Sequence, residues 1–405
     1  MKIIKNRDLY LKRLIALKDS SLIKVITGVR RCGKSTLLDL YEKFLLTTDV
    51  KPNAIIRMNF ESLEFDEIKD YKHLNQYIVA RISPGQKTYV LLDEVQMVLE
   101  WERAVNSLRL DNNLDIYVTG SNSHFLASQL SSLLSGRYIE IHMLPLSFKE
   151  FLEFYDYKNT ENLQDCFNRY IEIGGLPGIT EFNAQESLIG VYINGIYNTI
   201  IMKDIILRNE VRDPALLENV IRFMSGNIGN PISSNKISNY LTSGGRKTSS
   251  ETIDNYLRLF EKAYILYRVN RYDIKGKQYL KTFGKYYIVD TGIRNELLGR
   301  RGQDYGLVLE NIVYFELLRR GYAVSIGSFN EMEVDFIAVK PDVTIYYQVT
   351  ATMLSDDIRE RELRSLRAIP DNYEKIVLSM DKTPMTDYDG IKNINIIDFL
   401  TEKDE

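Results

Sequence analysis

The stretch Val25–Leu38, VITGVRRCGKSTLL, constrains the fold of this chain more than any other part of the sequence. Its central residues, 28 to 35, fit the pattern GxxxxGK[ST]. The apolar, β-branched run just before it, residues 22 to 27, predicts a buried strand, and the residues after it have helical spacing. A strand, a glycine-containing loop and a helix in this order predict a phosphate-binding loop.

The residue types in this loop match the chemistry of a nucleotide site. Glycines let the backbone turn its N–H groups toward phosphates, and the helix N-terminus adds positive potential. We expect Lys34 to reach the β- and γ-phosphates of ATP, and the Ser35 hydroxyl to hold Mg²⁺. The predicted nucleotide-binding residues are Gly28, Arg31, Gly33, Lys34, Ser35 and Thr36. For Arg31, a solvated position in the loop is an equally good interpretation.

A second apolar run, Tyr89–Val95, ends in the acidic pair Asp93-Glu94. We expect Asp93 to bind Mg²⁺ through water and Glu94 to polarise the attacking water. Glu94 could instead cap or pair locally. One strand-like run, Ala54–Phe60, separates the loop strand from the acidic strand in the sequence. This spacing resembles the branch of phosphate-loop ATPases that has an inserted strand and a catalytic glutamate.

The next run, DIYVTGSNS, predicts a strand that ends in small polar residues, of which Asn122 or Ser121 could contact the γ-phosphate or the lytic water. A helix, the pair Gly136-Arg137 and another strand follow. This order resembles the AAA+ ATPases, in which an arginine at this place inserts into a neighbouring subunit's site. The resemblance implies that Arg137 is an arginine finger acting in trans in a homo-oligomer. A surface arginine that closes the helix is the alternative.

The middle of the chain combines helical patterns with a concentration of basic residues. Residues 229–285 contain eleven Lys and Arg against four Asp and Glu, a charge of +7 that leaves −10 for the rest of a chain whose net charge is −3. The pattern helix, turn, helix and β-hairpin predicts a winged helix, and its charge predicts a DNA-binding surface. The candidate phosphate contacts are Arg246, Lys247, Arg258, Lys275 and Lys277. A winged helix that binds protein is the alternative.

The C-terminal part carries acidic residues in a second recognisable order. A helical Glu310 precedes Asp335 in EVDF, and Gln348 in YQVT follows after a hairpin turn. This order resembles the restriction-endonuclease-like PD-(D/E)XK fold. In that fold the acids hold Mg²⁺, and a lysine two residues after the second hairpin position activates water. Here that position is Thr350, so we favour a degenerate nuclease-like domain used for binding over an active nuclease.

Taken together, the motifs predict an α/β chain with a parallel-sheet phosphate-loop domain of the inserted-strand type. The predicted domains are residues 1–144 for an AAA-type ATPase core, 145–228 for a helical lid, 229–284 for a winged helix and 285–405 for a restriction-endonuclease-like α/β domain. The layout is similar to a family of prokaryotic AAA-type ATPases with an uncharacterised C-terminal domain, on the motifs LLDEVQ, SGRY…PLSFKEFL, GGLP and LENIVYFELLRRGY.

The composition adds a location to this prediction. No apolar run reaches the roughly 18 residues that span a bilayer, and the N-terminus is too charged for a secretory signal. The two cysteines, Cys32 and Cys166, predict no disulfide framework. A helix N-terminus lowers thiol pKa, but we interpret Cys32 as a small residue that fits the loop. We therefore expect a cytoplasmic, ATP- and Mg²⁺-dependent switch that acts on DNA or a DNA-associated partner. An ATP-gated DNA nuclease and a nucleotide-dependent protein-binding adaptor are the alternatives.

Overall fold

The computed structural model describes residues 5–83, 85–120, 134, 136–157, 162–182, 185–299, 304–382 and 386–402, without the side chains of residues 281–283. The chain forms two compact units. The first contains the residues up to Pro145 together with Lys262–Tyr264, and the second contains residues 146–261 and those from Ile265 onward. The boundary predicted at 144/145 lies one residue from this division.

The first unit is built on a five-stranded parallel sheet of order β2-β3-β4-β1-β5. Its strands are β1 (Ile23–Thr27), β2 (Ile55–Asn59), β3 (Thr88–Asp93), β4 (Leu114–Thr119) and β5 (Tyr138–His142). The helices described in this unit are α1 (Asp8–Ala16), α2 (Lys34–Thr47), α3 (Tyr71–Val79) and α4 (Trp101–Leu108). Because β4 lies between β1 and β3, the sheet contains an inserted strand, as the sequence predicts.

The register of the central strands determines where their polar ends lie. Every residue of β1, β3 and β4 is buried, as is typical of parallel strands with both faces covered. Ile26 on β1 is opposite Thr119 on β4, and Leu92 on β3 is opposite Val118. The carboxyl ends of β1, β3 and β4 therefore meet at one edge of the sheet, where ligands bind in open α/β sheets.

The second unit begins with helices. They are α5 (Phe148–Phe154), α6 (Leu163–Ile173), α7 (Glu186–Thr199), α8 (Pro214–Ser225), α9 (Ser234–Ser243) and α10 (Ser250–Lys262), and a π-helical segment (Ile200–Leu207) follows α7. α9, α10 and a hairpin of β6 (Leu266–Asp273) and β7 (Gln278–Ile288) occur in the order that the sequence predicts. No helix in the described part of the chain has the length and apolar content needed to cross a bilayer.

The β6–β7 hairpin belongs to an eight-stranded mixed sheet of order β12-β13-β11-β10-β9-β8-β6-β7. The other strands are β8 (Ala323–Phe329), β9 (Met332–Lys340), β10 (Val343–Val349), β11 (Glu374–Ser379), β12 (Thr386–Tyr388) and β13 (Ile391–Asn395). The remaining helices are α11 (Thr291–Leu298), α12 (Tyr305–Arg319), α13 (Asp356–Ala368) and α14 (Ile396–Thr401). Residues 271–273 of β6 pair in parallel with 326–328 of β8. Because β6 pairs with β8, the hairpin and the C-terminal strands share one sheet. The domain boundary predicted at 284/285 falls inside β7.

Candidate functional sites

The loop between β1 and α2 has the backbone shape that its glycines predict. Gly28 and Gly33 have φ of +139° and +104°, and Arg31 between them has φ of +66°. A Cβ atom on Gly28 would lie 2.1 Å from the carbonyl oxygen of Met143, so no larger residue fits there. The buried Lys34 ammonium donates to the carbonyl oxygens of Gly28 at 3.0 Å and Val29 at 3.1 Å. The loop therefore curls around the buried ammonium of Lys34.

The predicted nucleotide-binding residues form one continuous loop and first helical turn. Ser35 is half-buried at the start of α2, whereas Arg31 and Thr36 are exposed. Cys32 is fully buried beneath the loop, and this burial raises the pKa of its thiol above the ordinary value. Its carbonyl oxygen accepts a hydrogen bond of 3.1 Å from the buried Arg7 guanidinium. Cys32 is thus a small packing residue of the loop, as we interpret it from the sequence.

Asp93 and Glu94 lie at the end of β3, and Thr119 at the end of β4 joins them. The Thr119 hydroxyl donates to Asp93 Oδ1 at 2.5 Å and accepts the backbone N–H of Glu94 at 2.9 Å. The Arg57 guanidinium is a second partner of Asp93. Its Nη2 lies 3.3 Å from Asp93 Oδ2 and 3.0 Å from Asp39 Oδ1. Both predicted catalytic carboxylates are buried at the same edge of the sheet as the phosphate loop.

The Glu94 carboxylate has a further partner within the same turn. Glu94 adopts φ of +52°, and the side-chain amide Nε2 of Gln96 donates to its Oε2. The amide oxygen Oε1 of Gln96 is buried and has no hydrogen-bond partner among the described residues. Thr119 and Gln96 occur within the motifs DIYVTGSNS and LLDEVQ, but neither residue has a role predicted from the sequence. The polar character of both residues next to a strand end is the signal that could have identified them.

A second polar cluster lies at the ends of β1 and β5, next to the loop. Thr27 Oγ1 donates to Glu140 Oε1 at 2.5 Å and lies 2.9 Å from Nδ1 of His142. Since the threonine proton goes to the carboxylate, Nδ1 of the histidine carries the proton in this arrangement. Burial, and to a lesser extent the Lys34 charge, lowers the pKa of His142 to about 4. The imidazole beside the loop is therefore neutral near pH 7.

The two remaining predicted ATPase residues have different outcomes. Asn122 and the helix predicted after it lie outside the described residues. Arg137 is exposed, and its Nη1 lies 3.1 Å from Oδ1 of Asn106 on α4. Its carbonyl oxygen accepts the N–H of Ile23 at the amino end of β1. Arg137 is thus at the sheet edge opposite its own phosphate loop.

The predicted DNA-contacting residues lie on three different elements of the second unit. Arg246, in the turn after α9, pairs with Asp213 at 2.7 Å, and Lys247 next to it is exposed. Arg258 is exposed on α10, where it bonds the carbonyl of Asp254 and the side chain of Asn255. The exposed Lys275 and Lys277 lie in the β6–β7 turn.

The C-terminal candidates do come together. Glu310 on α12, Asp335 on β9 and Gln348 on β10 all line one cavity of about 900 Å³ in the second unit, as does Thr350. Asp335 Oδ2 accepts the N–H of Val349 at 2.8 Å. Gln348 accepts the N–H of Asp335 at 3.4 Å through Oε1 and donates through Nε2 to Glu362 at 3.0 Å.

A buried lysine that was not predicted from the sequence, Lys285, also lines this cavity. Lys285 Nζ on β7 is 2.8 Å from Glu310 Oε1, 2.8 Å from Glu333 Oε1 and 3.8 Å from Asp335 Oδ1. Burial alone would lower its pKa, but the three carboxylates raise it above the ordinary lysine value. Burial and the neighbouring Glu310 raise the pKa of Asp335 well above that of an ordinary carboxyl. We call these four residues the Lys285 cluster.

Two family models match different parts of the chain. A family model described as an AAA domain matches residues 20–152, and a domain of unknown function, DUF8612, matches residues 164–304. An uncharacterized protein of Haemophilus influenzae is 42% identical over 399 residues, 98% of each chain. The uncharacterized protein MJ1544 of Methanocaldococcus jannaschii is 31% identical over 390 residues, 92% of this chain and 81% of the relative.

One solved structure shares the fold over most of the chain. The Walker-type ATPase PABY2304 of Pyrococcus abyssi aligns with a TM-score of 0.50 and 17% sequence identity. The alignment covers 73% of this chain and 96% of that one.

Proposed function

We propose that this protein hydrolyses ATP with Mg²⁺ and uses the change of bound nucleotide to switch conformation. The premise is that the chain belongs to a family of proteins built on an AAA-type ATPase domain. The observation that carries this proposal is the hydrogen bonding of Asp93 and Glu94 through Thr119, at the sheet edge that holds the Lys34 loop. ATP can bias a switch only by binding the two conformations with different affinity.

The loop residues would bind and orient the triphosphate. Backbone N–H groups at the start of α2 face the phosphates, and the Lys34 ammonium leaves the loop carbonyls for the β- and γ-phosphate oxygens. Asp93, which contacts the Thr119 hydroxyl and the Arg57 guanidinium, and the Ser35 hydroxyl offer oxygen ligands that fit a Mg²⁺ site. When bound, Mg²⁺ would neutralise charge on the phosphate oxygens.

Glu94 would act as the base for the attacking water. The water oxygen forms a bond to the γ-phosphorus while the bond from that phosphorus to its bridging oxygen breaks. The water proton passes to Glu94, and ADP leaves with the bridging oxygen. Lys34 stabilises the charge that develops on the phosphates, where electrostatic stabilisation is the main source of catalysis.

Arg137 would complete the site of a neighbouring copy. Its position at the edge opposite its own loop leaves a catalytic role only in trans, which requires a homo-oligomer. The AAA-type resemblance supports this role, and the exposure of Arg137 allows it.

DNA is the partner we propose for the second unit. The segment 229–285 carries a charge of +7, and the exposed Lys247, Lys275 and Lys277 are available to phosphates. The alternative is that the same winged-helix elements bind a protein partner instead of DNA.

Steady-state ATP hydrolysis tests the ATPase proposal. We expect Glu94→Gln to bind ATP but to lower turnover at least about a hundredfold, and Lys34→Ala to lose both binding and turnover. Lys43→Ala, on the exposed side of α2, is the matched control and should behave as wild type. If both Lys34→Ala and Glu94→Gln hydrolyse ATP as wild type does, the proposal is wrong. Nucleotide binding without any turnover would favour the adaptor.

DNA association has its own measurement. We expect DNA to stimulate turnover, and binding in a mobility-shift assay to weaken as salt rises, because phosphate contacts release counterions. Neutralising Lys247, Lys275 and Lys277 together should reduce the salt dependence. Binding that does not depend on salt would contradict a phosphate-contacting surface.

A second function, ATP-gated DNA cleavage, is favoured by one observation, the presence of Lys285 beside Glu310 and Asp335. The sequence pattern expects a lysine at the position of Thr350. Lys285 on β7 places an ammonium group in the same cavity instead. A Mg²⁺ site here would rest on Glu310, Asp335 and the Gln348 amide. The described residues contain no group of three or more His, Cys, Asp or Glu that could hold a metal by themselves.

Cleavage assays decide between this function and a binding domain. Wild-type protein with ATP and either Mg²⁺ or Mn²⁺ should cut plasmid or single-stranded DNA if the domain is a nuclease. Asp335→Ala and Lys285→Ala should then abolish cutting while ATP turnover remains. No cleavage by wild type under either metal would leave the domain as a binding module.

A further inference from the structure

We infer that Tyr264 transmits the nucleotide state of the phosphate loop to helix α10. This inference rests on the proposed ATPase switch and adds to it the route by which the proposed DNA-binding segment receives the signal. It is carried by the place of Tyr264 in the chain, by its backbone conformation, and by the contacts of its side chain with the strand ends beside the loop.

Tyr264 lies in a short segment where the chain returns to the first structural unit. Residues up to Glu261 of α10 belong to the second unit, and so do the residues from Ile265 onward, which form β6. Lys262–Tyr264, between them, belong to the first unit. A displacement of Tyr264 is therefore applied directly to the C-terminal end of α10, the helix that carries Arg258.

The backbone of Tyr264 has a conformation that tyrosine disfavours. Its φ of +56° lies in the left-handed region, where a bulky residue is an outlier. The N–H of Ile265 bonds the carbonyl of Phe260 at 3.0 Å, which is the bond that marks a Schellman motif at a helix end. Glycine is the usual residue at the left-handed position of this motif. A tyrosine that is retained against this backbone cost indicates a function for its side chain.

The Tyr264 side chain packs against the strand ends beside the phosphate loop. It is buried, its ring centroid lies 4.7 Å from that of His142, and its hydroxyl oxygen lies 3.5 Å from Glu140 Oε1. The same Glu140 oxygen accepts the Thr27 hydroxyl proton at 2.5 Å. Thr27 is the last residue of β1 and directly precedes Gly28. One continuous series of contacts therefore runs from the loop to the end of α10.

Nucleotide binding would act on the loop end of this series. The Lys34 ammonium bonds the Gly28 carbonyl at 3.0 Å, and the proposed mechanism moves it to phosphate oxygens. Gly28 also packs so closely against the Met143 carbonyl that an added Cβ atom would lie 2.1 Å from its oxygen. Because this packing leaves no free space, a shift of the loop displaces Thr27, the preceding residue, or His142, the neighbour of Met143. Both residues contact the surroundings of Tyr264.

A static role in ending α10 predicts a different result from transmission. If Tyr264 only terminated the helix, a substitution would change the opening of α10 equally with and without nucleotide. Transmission requires that the effect of nucleotide itself on α10 depends on Tyr264. Amide hydrogen exchange of residues 250–262 measures local opening of this helix and therefore separates the two roles.

The test compares this exchange with and without a non-hydrolysable ATP analogue and Mg²⁺. We expect the analogue to change the exchange of α10 in the wild-type protein. Tyr264→Asn removes the ring and the hydroxyl but tolerates the left-handed backbone, so α10 should stay folded and lose the nucleotide effect. Tyr264→Phe keeps the ring and should lose the part of the effect that depends on Glu140. Tyr373→Phe, which removes an exposed tyrosine hydroxyl, is the matched control and should respond as wild type does.

Binding of the analogue, measured on each variant, should persist. A nucleotide effect that is lost in Tyr264→Asn alone would support the inference and assign the transmission to the ring contact with His142. An unchanged effect in Tyr264→Asn would overturn the inference, and Tyr264→Phe decides in the same way if the asparagine variant melts early. Loss of nucleotide binding in these variants would also overturn it, because Tyr264 would then belong to the nucleotide site.

Two results with wild-type protein separate this inference from the proposed function. If α10 does not respond to bound nucleotide while Lys34-dependent ATP turnover remains, the inference alone is wrong. If the wild-type protein binds no ATP, the proposed function and the inference are wrong together.

Discussion

Thr119 donates its hydroxyl proton to Asp93 at 2.5 Å and thereby ties the end of β4 to the end of β3. Thr119→Val removes this donor and also leaves the N–H of Glu94 without its acceptor. We expect a loss of about 1–3 kcal/mol in the free energy of unfolding and a reduced kcat for ATP. Thr119→Ser keeps the hydroxyl and should retain most of both. Denaturant unfolding and ATPase assays measure the two effects, and a valine variant that equals wild type in both would contradict the role of this contact.

The close approach at Gly28 predicts a position-specific effect of alanine. Gly28→Ala puts a Cβ atom 2.1 Å from the Met143 oxygen in a backbone conformation of φ +139°. We expect a loss of about 1–3 kcal/mol or more in unfolding free energy and loss of ATP binding. Gly195→Ala, in the interior of α7 with open space around the added atom, is the control. It should gain up to about 1 kcal/mol because alanine favours helix. Equal thermal stability of the two variants would contradict this account.

The burial of Cys32 predicts an unreactive thiol, although the residue lies in the phosphate loop. Because its pKa is raised, little thiolate forms near pH 8, and the other cysteine, Cys166, is also buried. We expect both thiols to react with an aromatic disulfide reagent only after unfolding. Cys32→Ser should leave the reactivity of the native protein unchanged. A fast-reacting thiol in native protein that disappears in Cys32→Ser would show that the loop exposes it.

The raised pKa of Asp335 predicts a pH-dependent gain in stability when its charge is removed. Since the folded protein holds this proton more tightly than the unfolded chain, stability falls as pH rises from about 4 toward the raised pKa and stays reduced above it. Asp335→Asn keeps an acceptor for the N–H of Val349 and should therefore raise the melting temperature at pH 8 but not near pH 4.

The control for this prediction is Asp342→Asn, at an exposed position of the β9–β10 turn, which should show no such pH dependence. A lower melting temperature of Asp335→Asn at pH 8 would mean that the ionised aspartate stabilises the Lys285 cluster. Stabilisation would indicate that Asp335 is retained for a function other than folding.

The position of Arg137 predicts complementation between defective copies. Arg137→Ala has an intact phosphate loop, whereas Lys34→Ala has an intact arginine, and each alone should be close to inactive. In a mixture, some sites combine an intact loop with a neighbour's arginine, so turnover should exceed the sum of the separate proteins. Strictly additive activity, or a fully active Arg137→Ala, would contradict action in trans.

Local sequence was sufficient for the phosphate loop and the acidic strand. Their signals lie in short continuous segments, because the glycine backbone and the helix N-terminus are determined by neighbouring residues. The inserted strand could also be expected from the spacing of the strand-like runs, and the sheet order has it.

The contacts of Thr119 and Gln96 could not be predicted from the sequence. Both are polar residues within the motifs DIYVTGSNS and LLDEVQ. Thr119 reaches Asp93 only because the parallel register places the ends of β3 and β4 side by side. Gln96 Nε2 reaches the Glu94 carboxylate in a turn where Glu94 has a left-handed backbone.

The sequence by itself determined a chain with a phosphate-binding loop, an acidic strand end and a hairpin, since each is encoded by residues that are adjacent or in periodic order. Only the tertiary structure decided that the hairpin joins β8 and that Lys285 lies among Glu310, Glu333 and Asp335. The physical reason is that an edge strand can pair with any exposed strand. The strand with which it pairs depends on the burial of the whole sheet. In this fold the pairing places Lys285 of β7 in the cavity, whereas the position where the nuclease-like sequence pattern expects a lysine is Thr350.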